Sequence, residues 1–218
     1  MHGMADSDHT ASDISATQPD RYIQEPSLTV RKTLLRKELL TARATLSDAD
    51  RKSAGSALRD LMFDLPEVGM AGTIAAYLSV GTEPQTSALV YGLWKRGSYV
   101  LLPLLREDND LDWASYEGPE SLVPGPRGLL EPAEPPRGVA AITSADFVIV
   151  PALAVGRDGL RLGRGGGSYD RALARVGPAV PTLALLYEGE LLDEVPAGPH
   201  DQRVRAVAQP GQGIIRLG

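Results

Sequence analysis

Between positions 159 and 171 the chain reads Gly159-Leu-Arg161-Leu162-Gly163-Arg164-Gly165-Gly166-Gly167-Ser168-Tyr169-Asp170-Arg171. Three consecutive glycines let backbone come close to an anion, and two arginines beside them supply charge-assisted donors, so this composition suits the grip of a phosphate. A flexible turn is the plain alternative. Position favours the phosphate, because the segment lies between a strand end and a helix start, where free backbone N–H groups attract anions. Neither familiar phosphate loop fits: no Gly-Lys-Ser/Thr closes the segment, and a GxGxxG frame begun at Gly163 meets Ser168 where its last glycine belongs.

Other residues could join it. Lys32, Arg36 and Arg43 recur at i, i+4 and i+11 and so share one side of a helix; by periodicity alone a solvated basic ridge is the ordinary reading. Glu83 stands in Ser79-Val-Gly-Thr-Glu-Pro-Gln, just past an expected strand, on the ligand side of an open sheet. A carboxylate there could accept a ligand N–H, although a lone acid in a turn is more often simply hydrated. Asp170 and Asp201 sit near expected functional ends and could hold Mg2+ through oxygen ligands. His2, His9 and His200 lack zinc spacing, and the absence of cysteine removes disulfides, thiolate ligands and a cysteine nucleophile together.

The elements that must position these groups are legible as an alternation. Leu28, Leu35, Leu39, Ala42 and Leu46 mark one face of a first helix, and Ser47 with Asp50 resembles a capping box opening a second, with Leu58, Leu61 and Met62 inward. A strand over Thr73–Leu78, a helix over Thr86–Arg96 ended by Gly97, and a strand over Tyr99–Leu102 then form a βαβ unit. Continuous apolar runs at Val100–Leu102 and Phe147–Val150 suit parallel strands covered on both faces, and Pro103 and Pro151 mark their ends. Residues 117 to 138 read as a long loop, and Ala152 onward as a loop into the glycine cluster. A helix through Tyr169, Leu173 and Val176, closed by Gly177, and strands at Thr182–Leu186 and Val204–Ala208 complete a doubly wound, mostly parallel α/β sheet flanked by helices in three layers.

At 218 residues and 43% hydrophobic content the chain suits one sizeable core, over residues 27 to 218. Residues 1 to 26 are polar and acidic, and read as a disordered tail. A net charge of −6 argues against a general nucleic-acid binder, and no apolar run is long enough to span a membrane. A cytoplasmic monomer acting on small molecules is the expectation.

Taken together, Lys32-x-x-x-Arg36, Tyr77-Leu-Ser-x-x-x-Glu83 and Val150-Pro-x-x-Ala-x-x-x-x-Gly159-x-Arg161-Leu-Gly-Arg-Gly-Gly-Gly-x-Tyr-Asp170 resemble the 5-formyltetrahydrofolate cyclo-ligase (5,10-methenyltetrahydrofolate synthetase) family, over about residues 30 to 208. The resemblance implies that ATP phosphorylates the formyl oxygen of 5-formyltetrahydrofolate and that N10 then closes the ring. It implies that Lys32 and Arg36 touch ATP phosphates, that Arg161 to Tyr169 (Arg161, Leu162, Gly163, Arg164, Gly165, Gly166, Gly167, Ser168, Tyr169) wrap the nucleotide, and that Leu78 and Glu83 line the folate pocket. Gly165 to Ser168 would border the substrate too. Arg164 and Glu83 would be catalytic, Arg164 facing the reacting group, and Asp170 with Asp201 would position Mg2+. Ser168 departs from the family, whose pattern has two adjacent tyrosines; a lost ring contact is worth about 0.5–1.5 kcal/mol. The rival readings are an isomerase- or transferase-type reaction without ATP, and a non-catalytic nucleotide- or phosphometabolite-binding protein of the same fold.

Overall fold

Ser27 and Ser47 each open a helix by accepting a backbone N–H of its first turn, from Val30 and Asp50 respectively. The second is a full capping box, with the Asp50 carboxylate returning to the Ser47 N–H. The computed structural model describes residues 26–218, so the expected tail falls, but for Pro26, outside the described residues. In chain order the elements are α1 Leu28–Ala44, α2 Asp48–Asp64, α3 Pro66–Met70, β1 Thr73–Ala75, α4 Ser87–Lys95, β2 Tyr99–Leu105, β3 Leu111–Ser115, β4 Leu122–Pro124 and β5 Leu130–Pro132. They continue with β6 Phe147–Pro151, β7 Ala154–Gly156, β8 Arg161–Leu162, α5 Ser168–Leu173, β9 Thr182–Leu185, β10 Leu191–Leu192, β11 Ala206–Gln209 and β12 Gly213–Arg216.

The main sheet runs β12-β11-β9-β6-β1-β2-β3. Its five inner strands are parallel, and an antiparallel strand closes each edge. Alternation divides the apolar runs between two cores. Val100, Leu102 and Ile149 face α2 and α4, packing with Leu58, Met62, Leu89 and Leu93. Leu101, Val148 and Val150 face the other way, with Trp113, Ala172 and Leu173. Both faces are therefore covered, as the continuous apolar runs require.

The expected end of β2 at Pro103 is corrected. The Tyr99 N–H bonds Gly72, so alternate N–H groups point at β1, and that parallel ladder stops after Ala76 donates to Leu101. Pro103 lacks the N–H that would extend it, but its other side pairs with Trp113 of β3, and β2 runs on to Leu105. The expected strand over Thr73–Leu78 is likewise shorter, ending at Ala75. The loop expected over 117 to 138 contains the β4–β5 hairpin, and the loop after Pro151 forms a second small sheet, β10-β7-β8.

α1 rests on that small sheet. Leu39 is buried with Leu153, Ala154 and Leu162, whereas Ala42, expected on the apolar face, is exposed. The place of a larger apolar stripe is taken by Arg43, which is 1% exposed. Its Nε and Nη2 donate to the two carboxylate oxygens of Glu190 at 2.6 and 2.8 Å, and Nη2 also to the carbonyl of Ala152 at 2.7 Å. Burial pushes the Glu190 carboxyl up, opposed by Arg43. Burial acts against the Arg43 charge too, yet its pKa stands raised because Glu190 outweighs that penalty.

A second arginine secures the β2–β3 turn. Arg175 holds both oxygens of Asp110 at 3.0 and 2.5 Å, and this hydrogen bonding, against partial burial, keeps the carboxyl below its ordinary value of 3.8. A depressed carboxyl contributes stability that is full above the ordinary value and lost as acid passes through the lower folded value. Asp110→Asn is therefore expected to lose about 1–2 kcal/mol at neutral pH. Urea titrations should show that gap closing in acid; a gap unchanged from neutral to strongly acidic solution contradicts the assignment.

Candidate active site

The order of the main sheet reverses at β1 and β6: from β1 the chain steps to β2 on one side, and later strands add on the other. Segments leaving the C-terminal ends of two such strands diverge and open a crevice. A cavity of about 380 Å3 lies there, bordered by the segments after β1 and β6, by α1, by the glycine loop and by the β4–β5 hairpin. That volume falls within the range of small-molecule sites.

The segment after β1 is shaped by its own side chains. The buried Thr86 hydroxyl donates to the Tyr77 carbonyl at 2.7 Å and accepts the Ser79 N–H at 2.8 Å, turning the chain out of the sheet. Glu83 Oε2 then accepts the Val80 N–H at 2.9 Å, which fixes the buried carboxylate against the cavity wall. Its other oxygen lies 3.0 Å from Arg164 Nε, and Arg164 Nη2 donates to the Val80 carbonyl at 3.1 Å. Arg164 thus joins the glycine loop to the Glu83 turn, while its side chain stays 48% exposed and keeps donors free for a ligand.

On the opposite wall Arg36 Nε donates to the Gly163 carbonyl at 2.8 Å. A Cβ at Gly165 would sit 3.4 Å from the Arg36 guanidinium, and the φ of +106° there is one that side-chain-bearing residues avoid. Lys32 Nζ meets Asp201 Oδ2 at 2.5 Å, and that oxygen also accepts the Gly198 N–H. Burial alone would raise the Asp201 carboxyl, but the Gly198 N–H and the Lys32 ammonium hold it below the ordinary range. Arg161, 4% exposed, meets Asp170 Oδ1 at 2.9 Å and lies 5.8 Å from the centre of the Tyr169 ring. Burial and the charge of Glu83 push the Tyr169 phenol well up, so it remains neutral and able to donate.

The residues to which the resemblance gives a site role all border this one cavity: Lys32 and Arg36, Leu78 and Glu83, Arg161 to Asp170, and Asp201. Arg43 does not; the third member of the basic ridge is a buried structural cation, and the ridge is not a solvated face. α5 ends at Leu173 instead of continuing to Val176, because Arg175 and Val176 close tighter three-residue turns. A helix of under two turns has a small dipole, so positive charge at the cavity comes from its basic side chains. Sequence reading gave Tyr77 a place in a motif but no role, and missed Leu105, Leu111, Arg127, Leu129 and Leu130, which also border the cavity. The hairpin that carries three of them was hidden in a stretch dense with Pro and Gly.

A sequence profile described as the 5-formyltetrahydrofolate cyclo-ligase family matches residues 28–210. The chain belongs to this family. A 5-formyltetrahydrofolate cyclo-ligase of Mycolicibacterium smegmatis is 41% identical over 191 residues, 85% of this chain and 97% of that protein. One from Escherichia coli K12 is 30% identical, over 78% of this chain and 95% of the relative. The NMR structure of the Aquifex aeolicus 5,10-methenyltetrahydrofolate synthetase superposes with a TM-score of 0.75 at 26% identity, covering 85% of this chain and 92% of its own.

For a cyclo-ligase, the implied magnesium can be tested against the donors present. Among the described residues no three His, Cys, Asp or Glu side chains converge to hold a metal. Asp170 Oδ1 serves Arg161 and the Gln202 N–H, and Asp201 Oδ2 serves Lys32 and the Gly198 N–H, leaving the second oxygen of each without a protein hydrogen bond among the described residues. Two carboxylates suit a magnesium that arrives with nucleotide phosphates and keeps water ligands; they do not suit a self-sufficient metal cage. Ser168, the departure noted in the sequence, also borders the cavity.

Proposed function

We propose that this chain uses ATP to close 5-formyltetrahydrofolate to 5,10-methenyltetrahydrofolate, releasing ADP and phosphate. The observation that carries the reading is Arg164, which links the glycine loop to Glu83 and so brings a phosphate grip and a folate contact to one place.

In this reading Lys32, Arg36 and the backbone of Gly163 to Gly167 hold the triphosphate. Leu78 lies against the pteridine, and Glu83 orients it by accepting a ring N–H. The formyl oxygen attacks the γ-phosphorus, and the bond to the ADP oxygen breaks. The free donors of Arg164 stabilise charge on the transferring phosphoryl group, where positioning and charge neutralisation supply most of the catalysis. N10 then adds its lone pair to the activated carbon, phosphate leaves with the former formyl oxygen, and the N10 proton is released. Magnesium held by Asp170 and Asp201 with the nucleotide would supply further charge neutralisation. Walls of Tyr77, Leu105 and Tyr169 limit water around the activated carbon. We place the reaction in the cytoplasm, with the enzyme acting as a monomer on small molecules and without nucleic acid; among the described residues no helix is long and apolar enough to cross a membrane.

The test combines purified protein, Mg2+, ATP and 5-formyltetrahydrofolate in one cuvette, with each component omitted in turn. ADP and methenyl product should appear in equal amounts only in the full mixture. Nucleotide binding without product would replace this reading by a binding protein of the same fold.

A further inference from the structure

Two residues other than glycine adopt left-handed backbone among the described residues, Asn109 at φ 61° and Arg127 at φ 56°. They meet: Arg127 Nη2 donates to Asn109 Oδ1 at 2.7 Å. Asparagine tolerates this conformation through its short polar side chain, whereas arginine gains nothing local from it. Such backbone is retained where surrounding contacts impose it, and it concentrates at ligand sites. The contacts here continue, since the Asn109 carbonyl accepts Arg171 Nη2 at 2.7 Å and the same nitrogen reaches the Gly166 carbonyl at 3.1 Å. The hairpin, the β2–β3 turn and the glycine loop therefore form one connected rim.

Charge singles out Arg127 on that rim. Four arginines border the cavity; Arg161 is paired with Asp170 and Arg164 with Glu83, while Arg36 and Arg127 meet no carboxylate among the described residues. Arg36 sits against the glycine loop and belongs with the phosphates. Three acids of the adjoining β2–β3 turn and hairpin are engaged elsewhere: Asp108 with Arg106, Asp110 with Arg175, and Glu131 with the Leu105 N–H at 2.8 Å. Beside the free guanidinium the cavity wall is apolar, formed by Leu105, Leu111, Leu129 and Leu130, the last 52% exposed. An apolar strip ending in a lone arginine fits an aromatic group that carries a carboxylate, which the planar guanidinium can hold with two parallel bonds.

We propose that Arg127 binds a glutamate carboxylate of the reduced folate, with the benzoyl ring lying over the leucines. The proposal rests on the folate reading above. Its test compares 5-formyltetrahydrofolate with the same compound carrying both glutamate carboxylates as methyl amides, for the unsubstituted enzyme, Arg127→Ala and Arg127→Gly. The glycine variant suits the left-handed backbone, so loss of fold cannot account for its result. The unsubstituted enzyme should prefer the acid over the diamide by about ten-fold in kcat/KM, and both variants should bring that ratio close to one by raising KM for the acid. An unchanged ratio in the variants overturns the proposal while leaving the folate reading intact, and so does a matching rise in KM for ATP. No turnover of 5-formyltetrahydrofolate by the unsubstituted enzyme overturns both.

Discussion

Replacing Glu190 with methionine is expected to cost about 3–5 kcal/mol of unfolding free energy, the largest loss among single changes outside the cavity. The penalty comes from what remains. Arg43, 1% exposed, would keep only the Ala152 carbonyl, and its Nη1 already lacks a partner among the described residues. Arg43→Met should cost a similar amount by stranding the carboxylate. The double variant Arg43→Met/Glu190→Met should recover much of either loss, because the charges are expensive to bury and valuable mainly to each other. Urea midpoints of the four proteins measure this coupling directly. Additive losses in the double variant would show that the pair does not act as a unit. Since α1 also carries Lys32 and Arg36, a weakened anchor should raise KM for ATP more than it lowers kcat.

The second large effect separates two residues that the sequence treats alike. Arg164→Ala should lower kcat by about 10²–10³, the loss typical of a removed transition-state donor. Its stability should fall by about 1 kcal/mol or less, because the side chain is half exposed. Asp170→Asn should also abolish most turnover, but with a stability loss of about 1–3 kcal/mol. The buried Arg161 depends on Asp170: its Nη1 has only the Pro151 carbonyl at 3.3 Å, and its Nε has no partner among the described residues. Circular dichroism melts run beside single-turnover assays check both claims. A fully active Arg164→Ala enzyme removes that residue from the reaction, and an Asp170→Asn protein of undiminished stability removes the structural half of its role.

The alternating sheet was legible because parallel strands leave an unmistakable record: Val100 to Leu102 and Phe147 to Val150 are apolar at every position, serving cores on both faces. Glycines and arginines in a short span likewise marked a segment that borders the cavity. What stayed hidden depends on pairing over distance. Arg43 has the spacing of a surface charge, and only Glu190, folded beneath it, makes it a buried one. Pro103 reads as a terminator until its two sides are distinguished, one facing the parallel ladder and the other facing β3. The β4–β5 hairpin is short, half exposed and built around Pro and Gly, so no periodicity announces it, and Arg127 went unnoticed with it.

The anchoring of α1 also sets an order of events in time. Arg43 and Glu190 are separated by 147 positions, and Lys32 and Asp201 by 169. At about 5–20 residues per second, a ribosome adds the Glu190 partner roughly 7–30 s after Arg43 has been made. Throughout that interval the first helix can meet Leu153, Ala154 and Leu162 as they are made, but its arginine has no carboxylate partner. Both charged anchors of α1 are therefore complete only once Glu190 and Asp201 have been made.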